Sequence, residues 1–445
     1  MNNENSKEIV VLGAGLVGSL LSIYLAKRGY SVHIYERRAD MRNEKISAGR
    51  SINLALSDRG WRGLKGAGIE EEIRKVAIPM NGRVIHNSKG ELAHQPYGEV
   101  GQAIYATSRG ILNCVMMTEA EKQGVTISFN ERCLNIDLEN ATATFADKKV
   151  KAKVIIGTDG AFSVARLQLM LASDRFEYSQ HYLQHGYKEL LIPPGEGNSF
   201  LMEKNALHIW PRGGYMLIAL PNLDGSFTCT LFFPFEGEDS FASIQSKEDC
   251  ANFFKRVFPD VIPLMPTLAE DFFNNPTGSL VTVKCFPWSY KDSLCLIGDA
   301  AHAIVPFYGQ GMNCGFEDCV VFDQLLEKHG DNFGAVFSEF QKVRKPNSDA
   351  IAELAYMNFI EMRDRVGSAQ FLLQKKIEAR MHQKHPKIWL PLYSQVTFSD
   401  IPYADALSNG LRQEEIMKKI MQLPDIENTW DNDDVESMIL RNISK

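Results

Sequence analysis

The eight cysteines (Cys114, Cys133, Cys229, Cys250, Cys285, Cys295, Cys314, Cys319) are scattered over 445 residues without a single C-x-x-C pair. That excludes a disulfide framework and a zinc-ligand spacing, so free thiols buried in a reducing compartment are expected, and no metal site. No run approaches the ~20 apolar residues that a membrane span needs. Met1 to Glu8 is polar, so no signal peptide is expected either. Positive charge is not in excess: the formal net charge is −7, which favours solubility and excludes broad nucleic-acid binding. Internal repeats and low-complexity tracts are missing too. The expected compartment is the cytoplasm.

The composition itself is that of an ordinary globular protein, 44% hydrophobic and 23% charged. A chain this long exceeds one ordinary core and suits two or three cooperating domains. Glu8 to Leu12 reads as a buried strand, Leu16 to Lys27 as a helix by its apolar spacing, and Ser31 to Tyr35 as a second strand, which makes a βαβ unit. Short strands are expected between Met80 and Tyr105, a helix from Arg109 to Gln123, and a buried strand at Val154 to Gly157. From Tyr187 to Phe233 the alternation of LHIW, YMLIAL and FTCTLFF predicts an antiparallel sheet. Leu294 to Ile297 reads as another strand and Met312 to His329 as a helix. Beyond Pro346 the chain reads as mostly helical as far as Lys384, followed by a Pro-punctuated stretch and a polar, charged tail.

Three motifs carry chemistry. GAGLVG, with Gly13, Gly15 and Gly18, follows a strand and opens a helix. Glycines there allow a tight turn, backbone approach to a pyrophosphate and close helix–strand packing, and the helix N-terminus offers free N–H groups to phosphates. Glu36, at the end of the second strand, is placed to accept from an adenosine ribose. The second motif is TDGAFSVAR, Thr158 to Arg166; its plain reading is a strand-ending turn capped by Asp159. The third is LIGDAAHAIVPFYGQGMNCGFEDC, Leu296 to Cys319. In it Asp299 can accept from a ribitol hydroxyl, and the N–H groups of Met312, Asn313, Cys314 and Gly315 can meet the electron-rich edge of a flavin. His302 reads better as a histidine packed in a turn than as a catalyst, because no acid–base constellation accompanies it.

In this order and spacing the motifs resemble the aromatic-hydroxylase class of single-component flavoprotein monooxygenases. That resemblance implies an α/β fold: an FAD-binding Rossmann-like (GR2-type) domain, an inserted antiparallel-sheet substrate domain and a helical C-terminal region. The expected boundaries are 1–174 with 276–345 for FAD binding, strands near 80–106 contributing on the substrate side; 175–275 for the sheet domain; and 346–445 for helices covering the substrate site. No second G-x-G-x-x-G follows, so NADPH is expected to bind transiently rather than in its own Rossmann domain.

A finer resemblance, to the kynurenine 3-monooxygenase family, rests on GRSINLALSDRG (Gly49 to Gly60), HGYKEL (His185 to Leu190), NALHIWPRG (Asn205 to Gly213), MLIALPNLDGSFTCTLF (Met216 to Phe232), PFYGQGMN (Pro306 to Asn313), MNFIEM (Met357 to Met362) and PLYSQVTFS (Pro391 to Ser399). It implies that Arg83, Tyr97, Asn358 and Tyr393 meet the amino-acid end of L-kynurenine. It also implies that Phe232, Phe307 and Met362 line the ring pocket. The implied FAD contacts are Val17, Tyr35, Glu36, Arg37, Arg38, Ala55, Arg109, Leu134, Ala165, Asp299 and Met312 to Gly315. The implied reaction consumes NADPH and O2 and passes through a flavin hydroperoxide to 3-hydroxy-L-kynurenine, in tryptophan degradation and quinolinate-dependent NAD biosynthesis. No side-chain catalyst is implied, because the flavin carries the chemistry. Eukaryotic members carry a hydrophobic C-terminal anchor, whereas Leu411 to Lys445 here is polar, so no membrane anchor is expected. The sequence allows a homodimer. Two alternatives stay open: another FAD-dependent aromatic hydroxylase, and a non-catalytic flavin-bound interaction protein.

Overall fold

Runs of β-branched and aliphatic residues without alternation belong to strands covered on both faces. Glu8–Leu12, Val154–Gly157 and Leu294–Leu296 are such runs, and they form the parallel centre of a six-stranded sheet. Its order is Ser289–Tyr290, Leu294–Leu296, Val154–Gly157, Glu8–Leu12, Ser31–Tyr35, Thr126–Ser128, and only the Ser289–Tyr290 edge pairs antiparallel. The computed structural model describes residues 8–43, 52–99, 101–364 and 368–443. Gly49, Arg50 and Ser51 of the GRSINLALSDRG stretch lie outside the described residues. Helices Leu16–Lys27, Arg109–Lys122 and Gly311–His329 pack together against this sheet, with Leu20, Leu21, Met116, Phe316 and Phe322 in one buried cluster.

The alternating stretch builds a second sheet of seven strands, in the order Thr277–Phe286, Glu177–Ile192, Phe227–Pro234, Met216–Pro221, Ala206–Pro211, Gly82–His86, Leu92–Pro96. It is antiparallel except where Ala206–Pro211 runs parallel to Gly82–His86. That pairing draws a segment from early in the chain into the later sheet. One face packs Trp210, Leu217, Leu231 and Phe233 beneath helices Lys247–Val257 and Leu268–Asn274. The opposite face presents Ile85, Ile209, Met216 and Phe232 to the turn Pro306–Tyr308 and to Ile351, Leu354, Phe359 and Met362 of the helix Phe333–Asp364. That helix is continuous for 32 residues across 345/346, with Pro346 inside it.

The tail read as polar folds as well. Helices Ala369–Lys384, Tyr403–Ile420 and Asp433–Ile443 bury Ile377, Met381, Ile416, Met417, Ile420, Val435 and Ile439 around Trp389. The charges of the tail occupy the outer faces of amphipathic helices. Among the described residues, no helix is long and apolar enough to cross a membrane.

Candidate functional site

The glycine turn is shaped by close approach. Gly13 has φ +102°, and a Cβ there would lie 2.8 Å from the Thr158 carbonyl oxygen. A Cβ at Gly18 would sit 2.1 Å from the Gly13 oxygen, so only hydrogen allows the helix to start this close to the strand. Gly15 differs: among the described residues a Cβ there would meet nothing within 4 Å, and no side chain caps the helix that it begins. The open side of the turn therefore exposes uncapped N–H groups at the positive end of a helix, which suits a pyrophosphate. Glu36 Oε2 accepts from Ala14 N at 3.0 Å, and its Oε1 accepts from the N–H and Nε of Arg38, both at 3.0 Å. These bonds fix the carboxylate beside the turn. Tyr35 is buried between His33 and Phe145 at centroid distances of 4.2 and 4.4 Å, while Arg37 and Arg38 are exposed.

The other two motifs meet this turn. The Thr158 hydroxyl donates to the Leu12 and Gly13 carbonyls at 2.8 and 3.1 Å. Asp159 Oδ2 accepts from Val164 N at 2.7 Å and Ala165 N at 3.1 Å in the first turn of the helix Val164–Ala172, whose N-cap is Ser163; its buried Oδ1 has no partner among the described residues. Val17 lies over the third motif: a Cβ on Gly315 or Gly298 would come within 2.5 or 3.1 Å of its methyl carbons. The Asp299 side chain is exposed, yet surrounding protein pushes its pKa up while Arg109 pulls it down, so it faces a recess rather than the outer surface. Asn313 is fully committed. Its Nδ2 donates to the Ala55 and Gly309 carbonyls at 2.9 and 2.7 Å, and its Oδ1 accepts from Ser57 N at 3.0 Å. Met312 is half-buried, Cys314 and Ala165 are buried, and Leu134 is exposed.

A buried ionic chain underlies the start of the helix Gly311–His329. His302 Nε2 meets Asp318 Oδ2 at 2.6 Å, Arg344 bridges Asp318 and Glu317 at 2.6 Å each, and Arg59 bonds Glu317 at 2.6 Å. Burial works against a charged His302, but Asp318 and Cys314 more than offset it and hold its pKa well above the ordinary value. His302 is thus a paired core residue. His302, Cys314 and Asp318 present ligand-type atoms within 4.8 Å of one another. Arg344 already supplies the positive charge there, with Nη2 3.4 Å from the Cys314 sulfur. Arg59 also donates to the carbonyls of Gln395, Val396 and Ile401 and lies 4.0 Å above the Tyr403 ring.

The second half of the site is aromatic around one cation. The Arg83 guanidinium lies 4.6 Å from the Tyr393 ring centroid and 5.5 Å from that of Tyr97. The two tyrosine rings stack at 5.3 Å and 13°, and Tyr308 stacks on Tyr393 at 5.7 Å and 16°. Arg83 Nε and Tyr97 Oη are buried without hydrogen-bond partners, and no carboxylate pairs with Arg83 among the described residues. Burial raises the Tyr97 pKa, so its hydroxyl stays neutral and able to donate. Phe307 packs on Phe232 at 4.8 Å and on Phe359 at 4.3 Å. Asn358 Nδ2 donates to the Phe307 carbonyl at 2.6 Å and approaches the Met362 sulfur at 3.2 Å, which fixes the turn Pro306–Tyr308 against the long helix.

A family model described as an FAD binding domain matches residues 6–329. Kynurenine 3-monooxygenase of Flavobacterium johnsoniae is 51% identical over 448 residues, spanning 99% of this chain and 100% of that protein. Proteins of the same name from Dictyostelium discoideum and Sus scrofa are 46% and 44% identical, covering 94% and 88% of their own lengths. The chain belongs to the kynurenine 3-monooxygenase family. Its fold is also that of 2-methyl-3-hydroxypyridine-5-carboxylic acid oxygenase, at TM-score 0.68 and 18% identity over 87% of this chain and 99% of that one.

Within this kynurenine 3-monooxygenase fold, Arg83, Tyr97, Tyr393, Asn358, Phe307, Phe232 and Met362 come together although they span most of the chain. Gly13, Gly15, Val17, Gly18, Glu36, Gly315 and Asp299 gather around the glycine turn and its neighbouring recess. Leu134 and Arg37 are exposed. Sequence reasoning missed Arg59, Tyr403 and Phe359. Arg59 stands inside the GRSINLALSDRG stretch, but nothing local says that it reaches carbonyls more than three hundred residues away.

Proposed function

We propose that this chain hydroxylates L-kynurenine ortho to its aryl amino group, giving 3-hydroxy-L-kynurenine at the expense of NADPH and O2. The observation that carries this reading is the buried Arg83 guanidinium against the rings of Tyr97 and Tyr393, with no carboxylate partner among the described residues, in a fold that also carries a flavin-type glycine turn and the Phe232–Phe307 pair. When bound, FAD supplies the redox chemistry, taking a hydride from NADPH and activating O2.

The chain's own residues bind, orient and exclude water. Gly13, Gly15, Val17 and Gly18 hold the pyrophosphate, and Glu36 holds the ribose, with Tyr35, Arg37 and Arg38 on the adenosine side. Asp299 holds the ribitol, and Met312 and Asn313 border the ring edge with backbone N–H groups at the start of their helix. Cys314 and Gly315 border it without free N–H groups, since the Cys314 N–H already donates to the Gln310 carbonyl at 2.8 Å, and Ala55, Arg109, Leu134, Asp159 and Ala165 complete the cradle. Arg83 pairs with the substrate carboxylate, where a guanidinium fork suits a planar anion, and Tyr97, Tyr393 and Asn358 fix the rest of the amino-acid end. Phe232, Phe307 and Met362 hold the ring and keep water from the reacting face. The aryl amine activates its own ring, so no strong side-chain base is required. Seven of the eight thiols are buried and all are free, which supports a reducing, cytoplasmic setting.

Anaerobic mixing with NADPH, with and without kynurenine, then admission of air and product analysis, tests the reading. 3-Hydroxykynurenine in step with NADPH consumed is the expected result. Turnover of hydroxybenzoates but not kynurenine would favour another aromatic hydroxylase. O2 consumption without hydroxylation of either would favour a flavin-bound interaction protein.

A further inference from the structure

The sheet face turned toward Pro306–Tyr308, the floor beneath that turn, carries a row of cross-strand neighbours. Ile85 lies opposite Ile209, Ile209 opposite Ile218, Ile218 opposite Thr230, and Thr230 opposite Glu189. Three isoleucines are thus followed by two polar residues. The next row on the same face contains Met216, Phe232 and Tyr187, which pack with Phe307 and Met362. Arg83 shares that face with Ile85, two positions along its strand. Its strand is three intervals from the strand of Thr230, roughly 14 Å at ordinary strand spacing. The floor therefore has a cationic end and, across an apolar middle, a neutral polar end.

Glu189 and Thr230 are 6% and 3% exposed. Thr230 Oγ1 donates to Glu189 Oε1 at 3.4 Å, and Glu189 Oε2 is buried with no partner among the described residues. The adjacent Lys188 points to the other face, where Nζ donates to the Asn275 carbonyl at 2.6 Å, so it does not neutralise Glu189. Burial pushes the Glu189 carboxyl up to about 8, only partly offset by Thr230. Tyr187 and Cys229 are the titratable groups that feel it, and the Arg109 cation acts on Tyr187 from the cofactor side. A half-bonded carboxyl in an apolar floor costs stability. A ligand group that uses the pair would account for its presence.

We propose that Thr230 and Glu189 are a positioning pair for the substrate's ring amino group, with the Thr230 hydroxyl accepting from the aryl N–H. With its proton committed to Glu189, the threonine oxygen keeps its lone pairs for an incoming donor. Arg83 fixes one end of the substrate and this pair the other, so the ring cannot turn over and one ortho carbon faces the cofactor. This inference rests on the function proposed above.

The test is anaerobic titration of the holoenzyme, read by flavin absorbance. The two probes are kynurenine and its ring-deaminated analogue, 2-amino-4-oxo-4-phenylbutanoate. Thr230→Val and Glu189→Leu are expected to cut the preference for kynurenine by about tenfold, with analogue affinity and FAD content unchanged. Glu189→Gln keeps the preference, because a neutral amide replaces a neutral acid. An infrared difference spectrum at neutral pH should also show a protonated-carboxyl band that Glu189→Gln removes. An unchanged preference in Thr230→Val, or no such band, overturns the pair while leaving the proposed function standing. Wild-type protein that does not bind kynurenine overturns both.

Discussion

Arg59 and Val396 are 337 residues apart in sequence, and Arg59 Nε donates to the Val396 carbonyl at 2.8 Å. This bond ties the segment carrying Tyr393 to the base of the helix that begins at Gly311, because the same guanidinium pairs with Glu317. The flavin-type cradle and the aromatic pocket are thus joined through one buried side chain.

Arg59→Met leaves three carbonyls without this donor and Glu317 with only Arg344. Breaking a buried pair on one side costs about 3–5 kcal/mol, so a clear fall in the unfolding midpoint is expected. Hydrogen exchange should quicken most in Leu392–Thr397. Arg59→Lys should recover little, since a single ammonium cannot reproduce the fork. A midpoint equal to that of wild type in the methionine variant would show that the link carries no stability.

The glycines of the first motif make two separable predictions. Gly15→Ala meets nothing within 4 Å among the described residues and has an ordinary φ of −75°, so apo-protein stability should be unchanged while FAD affinity falls, because the methyl stands where phosphate approaches. Gly18→Ala drives a methyl to 2.1 Å from the Gly13 oxygen, so the apo-protein itself should be destabilised. Thermal melts of apo-protein and FAD titration separate the two; equal behaviour in both assays would contradict this division.

Local signals reached the Rossmann-like half well. Glu8–Leu12, Leu16–Lys27, Ser31–Tyr35 and Val154–Gly157 form where apolar runs and helical spacing put them, because each is decided within a few residues. Pairing is not local. The parallel match of Gly82–His86 with Ala206–Pro211 follows from how two sheet segments meet, and no pattern inside either segment specifies it. The helical character of the C-terminal region was legible through the resemblance, and Val435 and Ile439, four residues apart and both buried, are its local signal within a charged stretch. Arg83 and Tyr393 were legible through family resemblance alone, since spacing carries no sign of their contact.

Glu189 makes stability depend on pH. Its folded pKa of about 8 lies above the ordinary glutamate value, so the folded state binds more protons than the unfolded one between roughly pH 4.5 and 8. Its contribution is therefore full below the unfolded value and is lost as pH rises through that window, with a slope of at most about 1.4 kcal/mol per pH unit. Denaturant melts across this range should show wild type losing stability relative to Glu189→Gln as pH rises. A constant difference between the two proteins would mean that Glu189 titrates normally.

Arg83 offers the sharpest separation of binding from folding. Its guanidinium lies over the Tyr393 and Tyr97 rings and bonds no carboxylate among the described residues, so Arg83→Met leaves no described carboxylate without its counter-charge. FAD content and the melting midpoint should stay near wild type. Loss of a charge-assisted pair should weaken kynurenine about 10- to 100-fold, and Tyr393→Phe, losing one neutral hydrogen bond, about tenfold or less. With the amino-acid end loose, the ring dwells less in the reactive pose, so H2O2 released per NADPH should rise in both variants. Apo-protein in either variant, or kynurenine affinity unchanged in Arg83→Met, would remove the carboxylate anchor from this residue.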